Sequence, residues 1–183
     1  MGKQNIDSKK EQNICRSLAL KRGVSLIEVL IVVGIIGIMA AMLYPSIMNS
    51  METREFENSA RDIQSTLQRA KFQAVKTKMN HRVRFVQGTT GWEFLIENEV
   101  TQNNWNLING FIKKVISPKF MLTVNFPDQA VVFSPLGLVL NFDPQQNSII
   151  IKSPKLENYN QPDQRIICVY AGGSLHFIKA ESE

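Results

Sequence analysis

From Val29 to Met51 the chain carries no charged residue, and a single carboxylate, Glu28, stands immediately before that run. A bilayer core takes roughly 20 apolar residues of helix to cross, so residues 24–48 read as a membrane-length helix. Gly34 and Gly37 soften it. Pro45 should kink or locally melt it, because proline lacks the amide donor and clashes with the preceding turn. Such residues are tolerated in membrane helices. Glu28 is the unusual member. A charge at the edge of a membrane-length apolar run is costly and marks a functional site by default. A simple anchor would give no reason for it. A secretory signal peptide would need a small-x-small cleavage site behind a short apolar core, and Met39-Ala40-Ala41-Met42-Leu43-Tyr44-Pro45 offers none.

Residues 1–23 are polar and read as a leader on the cytoplasmic side. Lys3, Lys9, Lys10, Arg16, Lys21 and Arg22 against Asp7 and Glu11 hold four of the five net positive charges of the 183-residue chain. The basic balance therefore follows the positive-inside rule and argues little for a nucleic-acid partner. Of the two cysteines, Cys15 lies in the leader and Cys168 in the body. A chain that loses its leader has no internal disulfide and depends on its core. Cys168, within Ile166-Ile167-Cys168-Val169, reads as a small buried hydrophobe.

Beyond the apolar run, Phe56, Ala60, Ile63, Leu67, Ala70 and Ala74 recur at spacings of three and four, one stripe of a helix of period 3.6. Residues 49–80 are thus an amphipathic second half of the first helix. From His81 the period changes to two. Val83 and Phe85, then Trp92, Phe94 and Ile96 across Gly88-Thr89-Thr90-Gly91, form a hairpin signal. Residues 98–110 read as a loop. Phe111–Ile116, Met121–Phe126, Ala130–Phe133, Leu138–Phe142, Ser148–Lys152, Arg165–Tyr170 and Ser174–Lys179 read as further strands, separated by prolines and glycines. A helix followed by a run of strands predicts an α+β fold, the helix covering one face of an antiparallel sheet in a domain over residues 81–183.

The order Lys21-Arg22-Gly23-Val24-Ser25-Leu26-Ile27-Glu28, with an apolar helix behind it, resembles the prepilin processing site of type IV pilins and secretion-system pseudopilins. Three body segments extend the resemblance: Leu67–Val75 leading into Val83-Arg84-Phe85, then Gly91-Trp92-Glu93-Phe94, and Val132-Phe133-Ser134-Pro135-Leu136-Gly137. Together they are similar to the GspH/FimT family of minor pseudopilins and minor type IV pilins. The resemblance implies a pilin-like fold, with a long bent N-terminal helix, transmembrane in its first half, packed on an antiparallel sheet. It implies that prepilin peptidase cuts between Gly23 and Val24 and that Val24 becomes N-methylated. A side chain at position 23 would keep the peptidase off the backbone. It implies that Glu28 serves filament assembly, paired with the free amine of Val24 on a neighbouring subunit, and that Pro45 is the helix kink. The implied setting is the inner membrane, N-terminus cytoplasmic and domain periplasmic, then a periplasmic filament. Its partners would be the peptidase, other pseudopilins or pilins, an assembly platform and membrane lipid. The expected function is a minor pseudopilin of a type II secretion system, the alternative a minor type IV pilin.

No enzyme constellation is present, and no cofactor is expected. His81 and His176 both sit in strand-like segments. One cysteine in the body leaves no Cys/His zinc set, and no glycine-rich phosphate loop follows a strand. The remaining candidate is a run of cations, Arg69, Lys71, Lys76, Lys78, Arg82 and Arg84, with no acid between them. It could meet DNA phosphates, though a solvated face or contacts within a filament explain it equally simply. Nucleic acid is therefore a possible partner but not the favoured one. Phe72 and Phe85, interleaved with these cations, read as core positions.

Overall fold

In a computed structural model of the chain, the described residues are 24–108, 110–159 and 161–181, with backbone alone described at 43–49. The chain divides into two compact units, one ending at Met48 and the other spanning Asn49–Glu183. A single helix, α1 (Leu26–Thr77), contributes to both. Its backbone stays helical at Pro45, so the proline does not end it.

In the second unit, the stripe Phe56, Ala60, Ile63, Leu67, Ala70 and Ala74 is wholly buried. The small alanines let the helix approach the strands closely, and the larger side chains fill the space between. The helix stops where Lys78 adopts φ 59°, a left-handed turn that breaks the repeat. Phe72, expected in the core, is 63% exposed. It lies two residues, about 200° of helix, from Ala70, and so falls off the buried stripe.

Two antiparallel sheets follow. The first joins β1 (His81–Gly88), β2 (Gly91–Thr101), β3 (Asn104–Leu107), β4 (Lys114–Val115) and β6 (Ala130–Phe133), in the order β3-β2-β1-β6 with β4 also on β2. The second runs β5-β7-β8-β9, from β5 (Met121–Asn125), β7 (Ser148–Lys152), β8 (Gln164–Val169) and β9 (Leu175–Ala180). The period of two holds: Val83, Phe85, Phe94, Ile96, Ile149, Ile151, Ile167 and Val169 point inward and are buried. Helix packed on antiparallel sheets is the predicted α+β architecture, although two sheets form where one was expected.

Five local expectations change, the first being that the strand expected at Phe111–Ile116 shrinks to Lys114–Val115. Part of the supposed loop 98–110 extends β2 to Thr101 and forms β3, held across a register shift between Glu99 and Thr101. Leu138–Phe142 is not a strand; a single bridge, Phe133 to Val139, remains. There the Asn141 side chain takes the Val132 amide and the Ala130 carbonyl, replacing ladder bonds. A short helix, α2 (Pro154–Glu157), was not foreseen. Cys168 is half-buried, because on β8 it alternates with Ile167 and Val169, which take the inward positions.

Candidate functional site

Local chemistry at the N-terminal segment is simple. The Val29 amide donates to the Ser25 carbonyl, closing the first turn of α1. Glu28 lies in that turn and is exposed. A carboxylate there meets unpaired backbone N–H groups and the positive end of the helix dipole, a favourable place for it. Val24 precedes the helix and is also exposed. Gly23 lies outside the described residues.

Every large apolar side chain from Leu26 to Met42 has at least half its surface exposed. A helix that is apolar on all faces has no solvent-facing side, and such helices end up buried in a larger core or a membrane. Burying a single Val, Leu or Ile is worth about 1.5–3 kcal/mol, so removing this run from water is worth tens. The single charge of Glu28 opposes that by about 3 kcal/mol, so the apolar term decides. Among the described residues, no helix is long and apolar enough to cross a membrane. The described apolar side chains stop at Met42, short of the roughly 20 residues a span takes.

The six cations of the basic run do not converge. Arg69 stacks over the Phe111 ring at 5.3 Å. The Lys71 ammonium donates to the carbonyls of Gly172 (3.3 Å) and Gly173 (2.9 Å) at the β8–β9 turn. Arg82 pairs with Glu97 and lies 4.3 Å over Trp105. Lys76, Lys78 and Arg84 are exposed and make no ion pair among the described residues. Half of the run is therefore structural. Phe72 lines an open groove with Lys71, Val75 and Leu175.

The charges that sequence reasoning missed lie on the flanks of α1. Glu57 accepts from Arg165 (2.9 Å), Lys179 (3.1 Å) and Arg61 (3.3 Å). Burial pushes its carboxyl upward, but hydrogen bonds from Arg165 and Lys179, with their charges, outweigh that and hold it below the ordinary carboxylate value. Arg165 is buried, donates to the Pro162 and Gln164 carbonyls, and lies 4.8 Å over the Phe56 ring. Glu52, Glu55 and Asp62 pair with Lys155, Lys119 and Lys114. Only the abundance of acids in 52–62 hinted at this. Among the described residues, no group of His, Cys, Asp or Glu could hold a metal ion.

Residues 18–44 match the family model described as the prokaryotic N-terminal methylation motif. The backbone is similar to the minor pseudopilin EpsH from the type 2 secretion system of Vibrio cholerae, with a TM-score of 0.52 and 14% identity over 68% of this chain and 97% of that one. It is also similar to the type IV minor pilin FimU of Pseudomonas aeruginosa, with a TM-score of 0.51 and 14% identity over 69% of this chain and 90% of that one. No curated protein matches the sequence. A methylation motif at its N-terminal end and a pilin-like fold are what this chain shares with these proteins.

Proposed function

We propose that the protein is a minor pseudopilin of a type II secretion system. Prepilin peptidase would cut between Gly23 and Val24 and methylate the Val24 amine. Residues 24–48 would hold the subunit in the inner membrane, with Pro45 bending the helix and the second unit in the periplasm. An assembly platform would then pass the subunit into a periplasmic filament with other pseudopilins. The observation that carries this reading is the helical stretch exposed and apolar on every side that lies within the matched methylation motif. Such a surface needs lipid first and neighbouring helices later. Glu28 would then be one buried carboxylate requiring a partner, and the new Val24 amine of an adjacent subunit supplies it.

A minor type IV pilin is the second reading, supported by the nearly equal likeness to FimU. Its DNA-uptake form draws little support from the geometry, since Lys71 and Arg82 are engaged within the domain.

The test is the intact mass and N-terminal sequence of the protein from membranes, with and without prepilin peptidase. A chain starting at N-methylated Val24 supports the reading. A chain that keeps residues 1–23 beside active peptidase overturns it. Glu28→Ala should still be cut and inserted but should drop out of filaments. Deletion that blocks export of folded proteins while leaving pili intact selects the secretion reading over the pilus one.

A further inference from the structure

With six residues, β9 is the longest edge strand of either sheet. Edge strands are templates for pairing unless something blunts them. β3 has four residues beside a register shift, and on β6 the Asn141 side chain occupies the Val132 amide and the Ala130 carbonyl. β9 pairs with β8 from Gln164–Ala180 to Val169–Leu175 without a shift, and it holds no proline. The Tyr170 amide donates to the Ser174 carbonyl, so the pairs that exchange backbone hydrogen bonds further along are Cys168–His176, Ile166–Ile178 and Gln164–Ala180. The N–H and C=O groups of Leu175, Phe177 and Lys179 therefore point to the open edge, where no further strand lies among the described residues.

A groove of about 410 Å³ opens beside this strand, lined by Gln68, Phe72 and Val75 of α1 and by Leu175. Leu175, Phe177 and Lys179 pair with the buried Val169, Ile167 and Arg165, so their side chains share the α1 side of the sheet. Helix and strand run alongside each other, tied by Lys179 to Glu57 at one end and by Lys71 to Gly173 at the other. On α1, Arg61, Ser65, Gln68, Phe72 and Val75 recur at spacings of four and three and are all exposed, a second stripe beside the buried one. That stripe is roughly 21 Å long, and β9 is roughly 17 Å. Apolar side chains occupy the Leu175 half of the groove, and both ends are positive. At one end Arg61, Arg165 and Lys179 share the single carboxylate of Glu57. At the other the Lys71 ammonium meets the Gly172 and Gly173 carbonyls, which carry no charge to offset it. Even with the exposed Glu181 just past β9 counted, positive charge is in excess.

We infer that β9 and this groove take an added β-strand from another protein, an acidic extended segment with apolar side chains at alternate positions. In such pairing the main chain supplies affinity and the alternate side chains supply specificity. An antiparallel strand would set two apolar side chains opposite Phe177 and Leu175, beside Phe72. Carboxylates opposite Lys179 and Gly173 would meet the cations at the two ends. The β9 strand of a second copy is the competing occupant, and a poorer match in charge: residues 175–181 carry one lysine and one glutamate and no net charge. The inference stands on the second unit alone and does not depend on the filament reading.

The experiment is a titration of the isotope-labelled full chain in detergent micelles with the end-blocked peptide Glu-Thr-Val-Thr-Val-Thr-Glu, followed by NMR. Saturable shifts along β9 and the exposed stripe of α1 are expected. Hydrogen exchange should slow at the amides of Leu175, Phe177 and Lys179 and stay unchanged at His176 and Ile178, which already bond to β8. Phe72 is 63% exposed, so Phe72→Ser keeps the fold. It should weaken binding about tenfold, the value of burying roughly half a phenylalanine side chain. Lysine in place of both peptide glutamates should abolish saturation. No saturable shift at millimolar peptide, equal binding of the lysine peptide, or unchanged affinity in Phe72→Ser would overturn the inference. Slowed exchange at the three outward amides without peptide, growing with protein concentration, would overturn it in favour of a second copy.

Discussion

Between Leu26 and Met42 every large apolar side chain of α1 is at least half exposed, whereas between Phe56 and Ala74 six apolar positions are sealed completely. The two stretches share a helix and a taste for apolar residues, but not their arrangement. The first is apolar on all faces, so no single packing surface can satisfy it. The second confines its apolar residues to one stripe and gives its flanks to charge. One chain can therefore carry a segment whose burial must come from outside and another whose burial comes from its own strands.

The largest effect should separate them directly. Phe56 is wholly buried, packs at 5.2 Å against Phe120 and carries Arg165 on its face. Phe56→Ala should cost the domain about 3–5 kcal/mol, measured by chemical denaturation of the full chain in micelles. Leu30→Ala should change the same transition by less than about 0.5 kcal/mol. Equal losses would break the comparison.

Next comes the Glu57–Arg165 pair. Arg165→Ala removes one partner of a largely buried ion pair and should cost about 3 kcal/mol. The pair also sets a pH dependence. Glu57 is held below the ordinary carboxylate value of 4.5. Its contribution is thus complete above the unfolded-state value and disappears as pH falls through the lower folded-state value. Glu57→Gln should flatten that acid limb of the stability profile. An unchanged limb would mean other carboxylates produce it.

Much of this was open to sequence reading, and for identifiable reasons. A stripe at spacings of three and four has one geometric solution, so all six of its positions were placed correctly. Alternation from His81 onward did the same for Val83, Phe85, Phe94 and Ile96. The methylation motif was legible because a basic pair, Gly23 and Glu28 stand in fixed order before an uncharged run. What escaped depends on distant partners. Glu57 reads as a surface acid until Arg165, more than a hundred residues later, arrives beside it. The groove beside β9 exists only once β9 is in register on β8 with α1 alongside. The run of cations misled because adjacency in sequence is not adjacency in space. Lys71 turns toward Gly173, while Arg69 projects from the opposite side of the helix.

A finer test lies in two adjacent glycines. Gly173 has φ 67°, and an added Cβ would sit 2.2 Å from the Gly137 carbonyl oxygen, whereas one at Gly172 would meet open space. Gly173→Ala should cost about 1–3 kcal/mol through backbone strain, with more from that clash. Gly172→Ala should be near neutral. A similar cost at both would show that Lys71 depends on the flexibility of the turn rather than its shape.

The smallest effect concerns the helix flanks. Lys119 and Glu55 lie 3.3 Å apart with side chains 61% and 45% exposed. Such a pair is solvated and screened by salt, so Lys119→Ala should shift stability by no more than about 1 kcal/mol. The shift should shrink further in high salt. The same substitution at Lys114, whose ammonium lies 2.6 Å from Asp62, should behave alike. If either costs as much as Phe56→Ala, charge rather than the buried stripe would be what holds the second stretch of α1 to its strands.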